Sequence, residues 1–163
     1  MSSRFCASIR IGGKIEVSKV EPLLKAIRES GVTLEWGDTT FSPQTPEELM
    51  EAKKEKWLEF CDERADHGEF PKLETMCCKL GLGYTRHSEA SFDSDAERVD
   101  WRPGMKKPLV WVASNTNCAS TFVPIEHLHK ALDLLEAGKV DKALHTLRNL
   151  CPPICELPPL EIV

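Results

Sequence analysis

The sequence of 163 residues has no apolar run near the ~18 residues that a membrane-spanning helix needs. Residues 1–4 are not followed by the apolar core of a secretory signal peptide. Clustered Lys and Arg, which give proteins affinity for the nucleic-acid backbone, are also scarce, because 26 acids outnumber 21 bases and the net charge is −5. The composition therefore predicts a soluble, mildly acidic protein that binds neither membrane nor nucleic acid directly.

The seven cysteines do not have the pattern of a disulfide scaffold or of a zinc site. Their number is odd, their spacing does not repeat, and the sequence has neither a Cys-x-x-Cys pair nor a His-x-x-x-His pair. Cys151 and Cys155 flank a proline-rich stretch that spans ~12 Å when extended, whereas a disulfide requires Cα atoms within ~7 Å. We therefore expect reduced thiols in the cytoplasm, with no metal and no cofactor.

Two alternating runs flank the pair Gly12-Gly13. Residues 5–11 and 14–17 alternate apolar with polar side chains, as strands do, and glycine supplies the positive φ that tight turns require. This pattern predicts a β-hairpin. A phosphate-binding loop is disfavoured because Ile15 stands where such loops have Ser or Thr.

A helix is predicted to follow this hairpin. Ser18 and Glu21 have the spacing of a capping box, in which each side chain satisfies a free backbone N–H at the helix start. Gly31 ends the apolar stripe and is a typical helix terminator. The alternation over 32–36 then predicts a short strand.

The clearest helix start in the sequence is at Thr45. Thr45 with Glu48 forms a second capping box, and the proline between them occupies the helical position that tolerates it best. We expect this helix to run to about Ala65. A further helix over 71–80 is predicted from apolar residues at helical spacing.

From residue 83 the apolar period changes to two. Strands are predicted over 84–89, 97–102, 109–113 and 121–123, and the near-continuous apolar run 109–113 suits a central strand. Two closely spaced helices follow as an αα-hairpin. We therefore predict an α+β fold, with a mostly antiparallel sheet of four to six strands covered by helices. The chain is expected to form one domain over 1–150 and a proline-rich tail over 151–163.

Each helix of the αα-hairpin has an apolar stripe, which we expect to face inward. The spacing of three and four residues places these side chains on one side of each helix. On the first helix they are Ile125, Leu128, Leu132 and Leu135, and on the second Val140, Ala143, Leu144 and Leu147.

Residues 84–100 form an acidic hairpin next to a basic strip. The segment contains five acids and two bases, and the residues that follow it to 107 are basic. We predict that this dipolar surface binds a partner, through Glu89, Asp93, Asp95, Glu97 and Asp100 together with Arg98 and Arg102.

A second acid excess lies over 45–80, with ten acids against six bases. Two acidic surfaces on a small domain favour a protein partner of opposite charge. Without a complete catalytic or cofactor motif, the leading hypothesis is a non-enzymatic cytoplasmic protein that binds another protein. A phage or plasmid accessory protein that inhibits or regulates a basic nucleic-acid-handling protein has this character.

Two enzymatic alternatives remain open. The carboxylates of Asp93, Asp95 and Glu97 are of the type that binds a hard cation such as Mg²⁺ in a metal-dependent hydrolase. Cys118, in a polar loop ahead of the helix that contains His127, is the best candidate for a catalytic thiol.

Overall fold

A computed structural model describes residues 4–90, 95–114, 120–152 and 155–163 of the chain. The described residues form the seven strands β1 (Arg4–Ile15), β2 (Leu58–Asp66), β3 (Gly83–Ser88), β4 (Glu97–Trp101), β5 (Leu109–Ala113), β6 (Thr121–Phe122) and β7 (Leu160–Ile162). They form one sheet in the order β2-β1-β3-β4-β5-β6, with β7 also on β1. Every pairing is antiparallel except that of β7 with β1, which is parallel.

The helices cover one face of this sheet or lie beyond it. They are α1 (Val20–Ser30), preceded by a 3₁₀ turn over Val17–Lys19, and α2 (Pro46–Glu51), α3 (Pro71–Leu80), α4 (Ile125–Glu136) and α5 (Val140–Leu150). Helices α1 and α3 end at glycines in the left-handed region, with φ of 66° at Gly31, the predicted terminator, and of 70° at Gly81. The predicted α+β fold with a C-terminal αα-hairpin is confirmed.

The core lies between the sheet and the apolar sides of α1 and α3. Strand residues that alternate along β1, β2 and β3 point into it, and the helices contribute aliphatic side chains from the opposite side. Fully buried members are Ile9, Ile11, Phe60, Tyr84, Leu23, Leu24, Ile27, Leu73 and Cys77. The opposite face of the sheet is polar, and we call it the open face.

Gly12 and Gly13 lie inside β1, so the predicted hairpin is wrong. β1 pairs antiparallel with β3 as far as Gly12, and from Gly13, whose φ is 124°, it pairs in parallel with β7. A Cβ atom at Gly12 would overlap the carbonyl oxygen of Pro158. Gly12 therefore permits a close approach of the C-terminal segment, and Gly13 supplies the positive φ at the point where β1 begins to pair with β7.

The predicted helix from Pro46 to Ala65 is also wrong beyond its first turns. Its cap forms as expected, because the backbone N–H of Glu48 donates to Oγ1 of Thr45 at 3.3 Å. Helix α2 nevertheless ends at Glu51. A reversal at 54–57, with a positive φ of 51° at Glu55, leads directly into β2.

Three smaller predictions in the first half of the chain and in the sheet were wrong. Ser18 forms no cap of α1, whose N-cap is Lys19 without a side-chain hydrogen bond. The segment 32–36 makes only an isolated bridge from Thr33 to Cys61. Strand β5 lies next to the two-residue edge strand β6 rather than at the centre of the sheet, and Val110 is therefore 60% exposed.

The apolar stripes of the αα-hairpin do not face inward, contrary to the prediction. Helices α4 and α5 pack on each other through the buried small residues Ala131 and Ala143, and no other described helix or strand packs extensively on them. Most of the larger apolar side chains therefore remain exposed: Ile125, Leu128, Leu132, Leu135, Val140 and Leu144.

Candidate functional site

The open face of the sheet has polar side chains over the adjacent strands β2, β1, β3 and β4. Residues that face each other across antiparallel strands point to the same side of the sheet. Arg10 therefore shares the open face with its partners Glu59 and Thr85, and Ser8 shares it with His87. The register of β3 with β4 extends this face to Asp100 and Arg98.

A cavity of about 550 Å³ lies on the open face. Arg10, Thr85, His87 and Arg98 contribute to its floor, and the segment 155–157 forms one wall. The indole N–H of Trp57 donates to the carbonyl oxygen of Leu157 at 2.9 Å, which fixes that wall to the sheet. The C-terminal segment thus completes the cavity rather than extending away from the protein.

Arg10 is oriented at the cavity by two contacts. Its Nε donates to Oε1 of Glu59 at 3.0 Å, and its guanidinium carbon lies 5.7 Å from the ring centroid of Trp57. The latter is a cation–π contact. The Arg10 side chain is still 50% exposed, so part of its guanidinium is available to a bound group.

Asp100 anchors a buried ion cluster beneath the cavity. Its carboxylate accepts hydrogen bonds from Thr85 Oγ1 at 2.8 Å, from Arg98 Nε at 2.8 Å and from Arg102 Nη2 at 3.3 Å. Asp100 is 0% exposed and Arg102 is 7% exposed. The side chain of Asp100 therefore does not reach the surface, and that of Arg102 reaches it only in the lining of the cavity. A contact of these two residues with a partner stays a prediction.

Arg102 instead attaches the C-terminal segment to the sheet. Its guanidinium donates to the carbonyl oxygens of Tyr84 at 2.6 Å, Trp101 at 2.9 Å and Cys155 at 2.9 Å. Burial lowers the pKa of Arg102, and the carboxylate of Asp100 opposes this shift. The charged cluster thus has a structural role, because it holds the C-terminal segment against the sheet.

Glu97 points to the helix-covered side of the sheet, away from Arg98 and Asp100. Its carboxylate lies 3.2 Å from Arg86, whose guanidinium also approaches Glu74 at 3.2 Å and donates to the carbonyl oxygen of Gly68. Because neighbours on a strand point in opposite directions, the acidic hairpin does not present its charges together. Asp95 is exposed, and Asp93 lies outside the described residues.

Glu89 joins two acids from the other acid-rich segment of the sequence. Asp62 and Glu63 of β2 and Glu89 after β3 lie around Cys6 of β1, and we call these three carboxylates the acidic rim. The backbone N–H of Glu89 donates to the carbonyl oxygen of Cys6 at 2.9 Å, which holds the two strands together there. Within the described part of the chain, no Lys or Arg side-chain nitrogen lies within 4.0 Å of a rim carboxylate, although the backbone N–H of Arg64 donates to Oδ1 of Asp62 at 2.8 Å.

Partial burial and the carboxylates of the acidic rim raise the pKa of the Cys6 thiol. Partial burial raises its pKa most, and Glu89, Glu63 and Asp62 raise it further because they disfavour a thiolate. A small cavity of about 50 Å³ lies here beside Trp36 and adjoins the larger one, with Ser8 and His87 in the lining of both. Because Asp62 pairs with the core residue Ala7, it lies on the helix-covered side of the sheet. The acidic end of the open face is therefore formed by Glu63 and Glu89, and its cationic end contains Arg10, Lys56 and Arg98.

The residues of the enzymatic alternatives are largely outside this site. Cys118 lies outside the described residues, and His127 is exposed on α4. Over 4–90, 95–114, 120–152 and 155–163, no three His, Cys, Asp or Glu side chains are arranged to hold a metal ion. The six cysteines within these ranges are free thiols.

The sequence predicts a partner-binding role for Glu89, Arg98 and the acid-rich stretch 45–80, but it does not predict their arrangement in space. Asp62 and Glu63 were assigned to a helix that the fold does not contain. The alternation of Leu58 and Phe60 with polar neighbours was the signal for a strand there.

Within its described ranges, the protein has no helix of the length and apolarity that crossing a bilayer requires. Comparisons with protein-family models, with curated proteins and with solved structures find no match for this chain.

Proposed function

We propose that the protein acts without catalysis, by binding another protein across its open face. The observation that carries this proposal is the acidic rim, in which Asp62, Glu63 and Glu89 lie around Cys6 and, within the described residues, form no ion pair with a Lys or Arg side chain. Like charges held together in this way are stabilised when a cationic group of a partner lies between them. The rim therefore supports a partner with a basic segment.

Because one end of the open face is acidic and the other is cationic, the partner's segment binds there in one direction only. A basic side chain meets the acidic rim, while a polar or acidic group further along reaches the exposed part of Arg10 and Lys56 in the larger cavity. Complementary charges of this kind contribute to specificity and association rate more than to affinity.

The character of the partner follows from the same charges. Proteins that handle nucleic acids carry clustered Lys and Arg that bind phosphates. An acidic protein that occupies such a cluster competes with the nucleic acid, and so acts as an inhibitor or regulator. We place this activity in the cytoplasm, where the free thiols of Cys6, Cys151 and Cys155 stay reduced.

A pull-down of the full chain from its native host tests this proposal. Reversing two charges of the rim, in Glu63→Lys with Glu89→Lys, is expected to abolish recovery of the partner. The matched control reverses two exposed acids of the αα-hairpin, in Glu126→Lys with Asp141→Lys, and is expected to recover it.

Identifying the recovered protein and repeating the experiment with purified components completes the test. Binding should weaken as salt rises, because the contact is electrostatic. Equal recovery by both double variants, or a recovered partner without a basic segment, would overturn the proposal.

A further inference from the structure

The αα-hairpin exposes an apolar face that its own fold does not cover. On α4 this face contains Ile125, Leu128, Leu132 and Leu135, and on α5 it contains Val140 and Leu144; we call these six residues the apolar hairpin face. Their exposed fractions run from 39% at Leu128 to 60% at Ile125. A helix with an apolar stripe is stable when that stripe is buried against another element. Within the described residues, no helix or strand besides the two helices themselves packs extensively on the αα-hairpin.

The size of the apolar hairpin face matches that of an interface. Applied to aliphatic side chains, these fractions leave roughly 500 Å² uncovered on one copy, the size of patch that is often functional on a monomer. Complete burial of two such faces removes roughly 1,000 Å² in total from solvent, about the minimum area of a biological interface.

Because its acids and bases balance, the αα-hairpin favours a binding partner whose contacting surface has no net charge. Residues 125–150 contain four acids and four bases, although the chain as a whole has a net charge of −5. Two copies therefore meet at this surface without net repulsion, whereas a basic partner finds no acid excess here. This surface thus differs from the acidic rim in the partner that it selects.

The geometry of two antiparallel helices also allows self-pairing. A face that spans both helices becomes self-complementary when it is rotated about a two-fold axis, which gives the isologous contact that is commonest in homo-oligomers. The resulting arrangement is a four-helix bundle with a shared apolar core.

We propose that a second copy of this chain covers the apolar hairpin face, so that the protein is a homodimer joined by a four-helix bundle. The acidic rim is on different elements, β2 and the end of β3, so dimerisation does not depend on partner binding.

Sedimentation equilibrium of the full chain tests the dimer. The wild-type protein should have twice the mass of one chain at micromolar concentration. The variant Leu128→Lys with Leu132→Lys should have the mass of one chain, because it places four charges in the shared core. The control Val17→Lys changes an apolar residue that is 58% exposed but lies in the 3₁₀ turn, and should remain dimeric.

Thermal unfolding gives a second readout that does not rely on mass. The melting temperature of a dimer rises with protein concentration, and that of a monomer does not. We expect this dependence in the wild type and in Glu63→Lys with Glu89→Lys, and its loss in Leu128→Lys with Leu132→Lys. A wild-type protein with the mass of one chain at micromolar concentration, or a dimer that survives the two lysines, would overturn the inference.

Discussion

Removal of the Asp100 carboxylate should destabilise the protein more than removal of any exposed acid. Asp100 is fully buried and accepts hydrogen bonds from Thr85, Arg98 and Arg102. Asp100→Ala leaves the buried guanidinium of Arg102 without its counterion. Breaking a buried ion pair from one side costs about 3–5 kcal/mol.

The structure places the expected loss at the lower end of that range. Arg102 keeps three backbone carbonyl acceptors, and the side chain of Arg98 is 24% exposed and so remains partly solvated. We expect about 3 kcal/mol for Asp100→Ala. Asp100→Asn keeps the shape and one acceptor but loses the charge, and should cost about 2 kcal/mol.

Urea unfolding at pH 7, followed by tryptophan fluorescence at one fixed protein concentration, measures these losses. The slope against urea should stay unchanged, which shows that the loss is one of stability. Asp95→Asn is the control, since Asp95 is exposed and its loss should fall within about 0.5 kcal/mol of the wild type. The reasoning fails if Asp100→Ala costs less than about 1 kcal/mol, because the pair would then not be acting as a buried ion pair.

Three further perturbations test the C-terminal segment, a helix cap and a buried thiol. Gly12→Ala should displace β7, because the added Cβ overlaps Pro158; faster hydrogen exchange at 160–162 checks this, and unchanged exchange contradicts it. Thr45→Ala should cost about 1 kcal/mol in urea unfolding because Glu48 loses its cap, and a loss near zero would show that α2 does not need it. Burial raises the pKa of Cys61 from 9.0 to about 11, so its contribution to stability is complete below pH 9 and is lost as the pH rises towards 11. The decline of unfolding free energy over that interval should be shallower in Cys61→Ala, and identical pH profiles would exclude this role.

The parts of the fold that sequence predicted well are those whose signals are local. Gly31 and Gly81 end their helices because only the left-handed backbone closes the last turn, and that requirement does not depend on distant residues. The alternation over 84–89 and 97–102 likewise survives as the β3–β4 pair.

The errors arose where tertiary contacts outweighed a correct local signal. The cap at Thr45 forms, but the helix that it starts has only six residues. Phe60, which the predicted helix includes, is instead buried in the sheet opposite Ile9. The glycines of β1 have the composition of a turn but accommodate a segment that comes almost at the other end of the sequence. A local sequence pattern cannot predict a pairing with a segment so distant in the sequence.

The candidate site was predictable in charge but not in arrangement. Alternation along β4 separates Glu97 from Arg98, and burial removes Asp100 from the surface. The acidic rim combines Glu89 with Asp62 and Glu63, which are distant in sequence and become neighbours only because β1 pairs with both β2 and β3.

The parallel pairing of β7 with β1 has a consequence for the order in which the molecule folds. Strands β1, β2 and β3 meet across moderate sequence separations, whereas Gly13 and Leu160 meet across nearly the whole sequence. Contacts of such high sequence separation form late, because closing the longer loop costs more chain entropy. The wall at 155–157 precedes β7 directly, so the larger cavity should be the last part of the protein to assemble. A nascent or partly unfolded chain thus lacks that binding surface, even when the core between the sheet and its helices has already formed.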